Sequence, residues 1–410
     1  MDADAFDDIT TMVRDLVRNR IVALEDQIER DDEVPAEIVE TAKSMGLYGF
    51  AIPERYGGLG LTMTEECRLV MELGYTTPAF RSLFGTNNGI GGHVLIEGGT
   101  EEQRASWLPR IASGEVSVSF GLTEPEAGSD PASLKTTARR DARGDESAGW
   151  VLDGTKRYIT NAPVADVFMV FARVQAPQAQ HHQDAAVPPR AARDRHGGIT
   201  AFMVPASSPG LTVGPRDAKM GQLGAWTADV VLDGVHVGPD AIVGGEAGIG
   251  KGWSTAMRCL SHGRIHIAAL CVGMAERLVD ETVDYARTRR QQGRPIASYQ
   301  LVQAMVADSV TDLHAGRAVV LAAAQAYDAG TDRRVAPSVA KYFCSEMVGR
   351  VADRAVQVHG GAGYMKGTPV ERFYRDARLF RIYEGTSQIQ QLIIARNVLG
   401  PAAEEPPGAL

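Results

Sequence analysis

Apolar residues follow two different rhythms along this chain. Ile9, Met12, Val13, Leu16, Val17, Ile21 and Leu24 recur three or four positions apart, the spacing that lines one face of a helix. A second helix is predicted over 35–46, with Pro35 in its first turn and Gly46 at its end. The Gly- and Pro-rich stretch AIPERYGGLGL then reads as a loop, and helical patterning resumes at Thr62 and runs with breaks to about Ser113. From about 116 the rhythm becomes two. VSVSFGLT alternates as a strand does, and VFMVFARV, ITAFMVP and VVLDGVHVG are further strands rich in Val, Ile and Phe. GWVLDGTKRYITNAP reads as strand, Asp-Gly turn, strand. From about 248 the helical period returns. Ile265 to Arg289 carries one broad apolar stripe, and helices are predicted over 298–328, 334–358 and 386–399.

Helices, then strands, then helices imply an α+β fold with a separate β domain between helical layers. The boundaries fall at 1–115, 116–243 and 244–400, with a loop at 175–198 and a disordered tail at 401–410. That loop is rich in Ala, Gln, Pro and Arg and lacks apolar periodicity. Its His181, His182 and His196 have no carboxylate or thiol partner at ligand spacing, so no metal is expected.

Composition narrows the function classes. Among 410 residues, 44% are hydrophobic, enough for a sizeable core, and the net charge of −9 argues against a nucleic-acid binder. Cys67, Cys259, Cys271 and Cys344 form no CxxC pair and sit among apolar neighbours, so packed, reduced thiols are expected. The acidic N-terminus lacks the pattern of a secretory signal, and no apolar run approaches the length of a membrane span. A soluble, cytoplasmic protein is the default expectation.

Five motifs could carry chemistry. FGLTEPEAGSD (120–130) offers Thr123, Ser129 and Gly128 on a loop after a strand, where hydroxyls and backbone N–H groups can cradle a polar ring edge or a phosphate; it could equally be a plain turn. In RYITNAP (157–163), Tyr158 could lie flat against a ring, or simply belong to an aromatic strand. YARTRRQQGRPIASYQ (285–300) clusters arginines suited to a pyrophosphate, although Arg287 and Arg290 read best as a solvated helix end. QVHGGAGYM (357–365) packs three glycines into four positions, as a close cofactor approach or an elaborate helix cap would require. RIYEGTSQIQ (381–390) puts Glu384 on a Gly-containing bend before a helix, either as a favourable acid at a helix start or as a general base. No strand-GxGxxG-helix unit is present to suggest a Rossmann dinucleotide site.

Taken in order, LTEPEAGSD, YITN, Arg289-x10-Gln300, QVHGG and IYEGTSQIQ, together with PERYGGLG, resemble the acyl-CoA dehydrogenase family over roughly residues 10 to 400. The resemblance implies an N-terminal helical domain, a middle antiparallel β-barrel or sandwich and a C-terminal four-helix bundle, assembled as a homotetramer with FAD at subunit interfaces. It implies that Phe120, Leu122, Thr123, Gly128 and Ser129 line the flavin, with Ser129 also touching acyl-CoA, and that Tyr158, Ile159 and Thr160 flank the ring. Arg289, Gln300, Gln357, Gly360 and Gly361 would hold the FAD of a neighbouring subunit, and Thr386 and Gln388 would contact FAD as well. Ser261 and Arg264 would bind the substrate, with Gly385 letting it pass close to the chain.

Glu384 matches the catalytic base, which removes the α-proton of an acyl-CoA (or acyl-carrier-protein) thioester while the β-hydrogen leaves as hydride to the flavin. An electron-transfer flavoprotein would take the electrons. Gly263 stands where other members carry the base, so the arrangement resembles the short-, medium- and short-branched-chain type. The chain departs from the family at Gln292, where an aromatic residue is usual, and at Trp226, which is larger than usual there. Rival readings are an acyl-CoA oxidase or flavin monooxygenase on the same fold, or a non-catalytic helical binding protein.

Overall fold

The computed structural model describes residues 3–141, 149–175 and 195–400, so most of the 175–198 loop and the 401–410 tail lie outside the described residues. The N-terminal helices are α1 (Ala3–Leu16), α2 (Val22–Asp31), α3 (Ala36–Ser44), α4 (Met63–Leu73), α5 (Pro78–Asn88), α6 (Gly91–Gly98) and α7 (Glu101–Ala112). The first apolar stripe runs through α1 and α2, joined by a π-helical turn at Val17–Ile21. Pro35 caps α3 rather than opening its first turn. Reciprocal capping boxes start α4 (Thr62 and Glu65) and α7 (Thr100 and Gln103).

The strands are β1 (Val118–Gly121), β2 (Thr137–Arg140), β3 (Trp150–Thr160), β4 (Val167–Val174), β5 (Ile199–Pro205), β6 (Leu211–Val213) and β7 (Thr227–Val237). They form one sheet in the order β1-β4-β2-β3-β7-β6, with β5 also on β4. The sheet is mixed, which corrects the antiparallel expectation: β1 and β2 both run parallel to β4. β4 explains why its sequence is a continuous apolar run. Val167, Met169 and Phe171 face a core shared with α6 and α7, whereas Phe168, Val170 and Ala172 face a core within the β domain.

The expected turn at Asp153-Gly154 is also corrected. β3 passes straight through it with a bulge between Leu152 and Gly154. Asp153 Oδ1 accepts a hydrogen bond from Gly234 N at 2.8 Å, and a Cβ on Gly154 would stand 2.4 Å from Thr136 Oγ1. The Asp-Gly pair therefore marks close strand contact instead of a reversal.

Helix α8 (Gly252–Thr288) is followed by the short hairpin of β8 (Arg290–Gln291) and β9 (Arg294–Pro295). Gln292 and Gly293 form its tip with φ of 51° and 79°, as a two-residue turn of this kind requires. Then come α9 (Gln300–Asp328), α10 (Val335–His359), α11 (Pro369–Ala377) and α12 (Ser387–Leu399). α8, α9 and α10 pack on one another, with α12 against α10.

The two helical regions, far apart in sequence, share one hydrophobic core running from Phe6 to Phe380. Asp328, at the end of α9, accepts from Met63 N and Thr64 N and so caps α4. Buried Glu25 of α2 pairs with Arg277 of α8 and Arg372 of α11. All four cysteines are buried and free.

Candidate functional site

The bend before α12 is backbone-strained. Glu384 and Gly385 both adopt left-handed conformations, with φ of 56° and 89°. For a non-glycine residue this costs on the order of 1 kcal/mol. Three side chains hold it. Gln390 Nε2 donates to Glu384 O and to Gly385 O, each at 3.0 Å. Lys341 Nζ from α10 donates to Gly385 O at 2.7 Å, and Arg264 Nε from α8 approaches Glu384 O at 3.4 Å. Thr386 caps α12, its hydroxyl accepting from Ile389 N.

The Glu384 side chain turns inward onto α8. Its Oε2 is sealed from solvent and has no hydrogen-bond partner. Burial raises the carboxyl pKa, while the charges of Arg81, Arg264 and Lys341 oppose that rise without overcoming it. Burial in turn lowers the Lys341 ammonium to about 8. The arrangement is a carboxylate with one oxygen shut off from water, near three cations and in an ion pair with none of them. Ser261 is half-buried on α8, one turn before Arg264.

A second group of expected residues sits on the β domain. Arg157 N donates to Thr123 O at 2.9 Å, tying the 120–129 loop to β3. Beneath it, buried Lys156 Nζ donates to Glu124 Oε1 and Phe171 O, both at 2.7 Å. Glu124 also accepts from Lys135 N and Thr136 N. Phe120 packs on Phe171, Leu122 is buried, and Gly128 and Ser129 are left exposed. Tyr158 is 59% exposed with φ of 58°, and Ile159 beside it is buried. Thr160 O accepts from Ser119 Oγ, so the loop and the end of β3 form one ledge.

The third group lies elsewhere. Arg289 follows α8; Gln357 and Gly360 end α10, where Tyr285 stacks on His359 with ring centroids 4.1 Å apart. Arg289, Gln300, Gln357, Gly360 and Gly361 are all exposed. From Arg264 to Arg289 the helix rises about 37 Å. Among the described residues no hydrogen bond or ion pair links this group to the Glu384 bend.

Three consecutive segments match family descriptions: residues 4–115 the acyl-CoA dehydrogenase N-terminal domain, 119–235 the middle domain and 250–399 the C-terminal domain. The chain belongs to the acyl-CoA dehydrogenase family. It is 36% identical over 389 residues to an acyl-CoA dehydrogenase of Bacillus subtilis, covering 95% of this chain and 96% of the relative. It is 33% identical to the caffeyl-CoA reductase-Etf complex subunit CarC of Acetobacterium woodii, covering 95% and 97%. Butyryl-CoA dehydrogenase from Megasphaera elsdenii superposes with a TM-score of 0.87 at 29% identity, covering 98% of this chain and all of that one. The protein is thus an FAD-dependent oxidoreductase acting on CH–CH groups of acyl-CoA.

The dehydrogenase holds further residues that the motifs did not reveal. Lys341 sits on the apolar face of α10 with Pro337, Cys344 and Val348, and a lysine in such a stripe is itself a signal. Arg81 interrupts the apolar run PAFRSLFG in the same way. Glu66, His262 and His266 form a buried cluster, with His266 Nε2 at 2.5 Å and His262 Nε2 at 3.1 Å from one Glu66 oxygen. Their spacing across α4 and α8 carried no sequence signature. The Trp226 indole N–H donates to Asp32 O, and Arg216 lies 3.4 Å from the ring centroid. Gln292 is an exposed hairpin tip whose Oε1 accepts from Tyr299 Oη.

Proposed function

We propose that Glu384 is the base that removes the α-proton of an acyl-CoA thioester. The observation that carries this is the sealed, unpartnered Oε2, a carboxylate oxygen positioned to accept one proton and committed to nothing else. Desolvation makes it a stronger base than an exposed glutamate. The Glu384 backbone N–H also donates to no described group, which leaves it free to polarise the thioester oxygen as charge builds there.

The ledge of Phe120, Leu122, Thr123, Gly128, Ser129, Tyr158, Ile159 and Thr160 fits an isoalloxazine ring. Its exposed aromatic, its hydroxyls and the empty space around Gly128 leave room for one. Thr386 and Gln388 would approach the same cofactor from the start of α12. FAD, when bound, supplies the acceptor for the β-hydrogen, which leaves as hydride. Glu384 takes the α-proton as the C2–C3 double bond forms. Ser261, Arg264 and Gly385 flank the thioester, and Ser129 reaches it from the ledge.

Arg289, at the far end of α8, and Gln300, Gln357, Gly360 and Gly361, on α9 and at the end of α10, form a group apart from the Glu384 bend. They would hold the cofactor of a second copy in a homotetramer. The CarC relative's name places it in an Etf complex, which supports an electron-transfer flavoprotein as acceptor here. It also supports the reductive direction, in which Glu384 would return the proton. No helix among the described residues is long and apolar enough to cross a membrane, and a cytoplasmic location is part of this reading.

The test is anaerobic. The purified protein, yellow with FAD, should lose its long-wavelength flavin absorbance on addition of acyl-CoA and regain it with electron-transfer flavoprotein. Rapid reoxidation by oxygen alone, with peroxide release, would favour an oxidase instead.

A further inference from the structure

Helix α12 is attached through polar groups. Its buried residues are Ser387 and Gln390, and neither is apolar. Ser387 Oγ donates to Glu346 Oε1 on α10 at 2.6 Å. Gln390, with no exposed surface, turns back onto the bend that precedes its own helix. There its Nε2 donates to Glu384 O and to Gly385 O, both at 3.0 Å.

The other half of this amide is left with nothing. Gln390 Oε1 is sealed from solvent and has no hydrogen-bond partner. Turning the amide over would not help, because it would press Oε1 against two carbonyl oxygens that need donors. A sealed acceptor without a partner destabilises the fold, and an apolar side chain of similar size would avoid that cost. The glutamine is therefore explained by what its nitrogen holds and not by packing.

The fit to the bend is close. A Cβ on Gly385 would stand 2.6 Å from Gln390 Nε2, so any side chain there would push the amide off the two carbonyls. Lys341 Nζ shares Gly385 O from the α10 side. With both carbonyls gathered on these donors, the N–H groups of Glu384 and Gly385 donate to no described group. A left-handed glutamate persists only where its surroundings hold it, and Gln390 is the side chain that bonds both of the strained residues.

Building on the reading of Glu384 as base, we propose that Gln390 is a positioning residue for proton removal: its amide locks the bend that aims the Glu384 carboxylate at the α-carbon and turns the Glu384 N–H to the thioester oxygen. It acts through the backbone. The basicity of Glu384 is left to burial and to Arg81, Arg264 and Lys341.

The experiment measures anaerobic flavin reduction by butyryl-, hexanoyl- and octanoyl-CoA in FAD-loaded wild type, Gln390→Met and Glu384→Gln. The methionine keeps the length of the side chain and removes the amide. Its limiting rate should fall about 100-fold, the scale of a reacting group displaced by about 1 Å, while the half-saturating thioester concentration, the amplitude and the acid limb of the pH profile stay in place. A purely structural role would lower the amplitude and leave the rate of the surviving fraction intact. Gln390→Glu, whose charge Lys341 would balance across Gly385 O, also loses the paired donors; it should be slowed likewise and serves if the methionine variant does not fold. A Gln390 variant reduced within tenfold of the wild-type rate, or one that loses amplitude alone, would overturn the proposal. If that happens while Glu384→Gln is slow, only the positioning role falls. A Glu384→Gln protein as fast as wild type would remove the base on which the proposal rests.

Discussion

The carboxylate of Glu384 rests on the bare Cα of Gly263, across from it on α8: a Cβ at Gly263 would stand 2.6 Å from Oε2 and 2.9 Å from Oε1. Both distances are shorter than any real Cβ contact, so even the smallest side chain at Gly263 must displace the carboxylate. Gly263→Ala should lower the rate of flavin reduction by about 100-fold, the scale of a catalytic group misplaced by about 1 Å. FAD content should be unchanged, because the nearest neighbours of a Cβ at Gly263 belong to Glu384 and Ile90, neither of them on the ledge. Stopped-flow reduction with flavin absorbance checks both.

The pH profile should report the charges around the bend. Glu384 works as its carboxylate, and burial places its pKa above the ordinary value, so the acid limb of kcat/KM should lie above that of an exposed glutamate. Arg81 on α5, Arg264 on α8 and Lys341 on α10 all hold that pKa down. Removing a cation favours the protonated acid. Lys341→Met should therefore move the acid limb to higher pH. A limb that stays in place would mean that Lys341 serves only to fix Gly385.

Lys156 and Glu124 form an ion pair with side chains 1% and 5% exposed under the flavin ledge. Lys156→Met would leave Glu124 buried with its backbone donors but without its counter-charge. The expected loss is about 3–5 kcal/mol of stability, together with loosened FAD. The double variant Lys156→Met/Glu124→Gln should recover part of that loss, and thermal unfolding of the wild type, Lys156→Met, Glu124→Gln and the double variant gives the coupling.

The sequence was most legible where each element carries one clear rhythm. The stripe of α8 and the alternation of the β domain were readable, and the order of the motifs pointed to the fold. Asp153-Gly154 was misread because an Asp-Gly pair between alternating residues also suits a bulge, and the choice was made by Gly234 on β7. The parallel pairing of β1 and β2 with β4 depends on which edges meet, which local patterns do not record. Within the site, Glu384 stood out by its motif. Arg81 and Lys341 are set by tertiary packing: each breaks an apolar stretch, but only the fold shows that both breaks face one carboxylate.

The central claim, that Glu384 takes the α-proton, is tested most directly by the rate of anaerobic flavin reduction in wild type and Glu384→Gln. The variant keeps the volume of the side chain and removes its basicity. Reduction should slow by about 100- to 10,000-fold, the contribution of a general base, while FAD remains bound and acyl-CoA still perturbs its spectrum. A variant reduced within tenfold of the wild-type rate would place the base elsewhere and contradict the account.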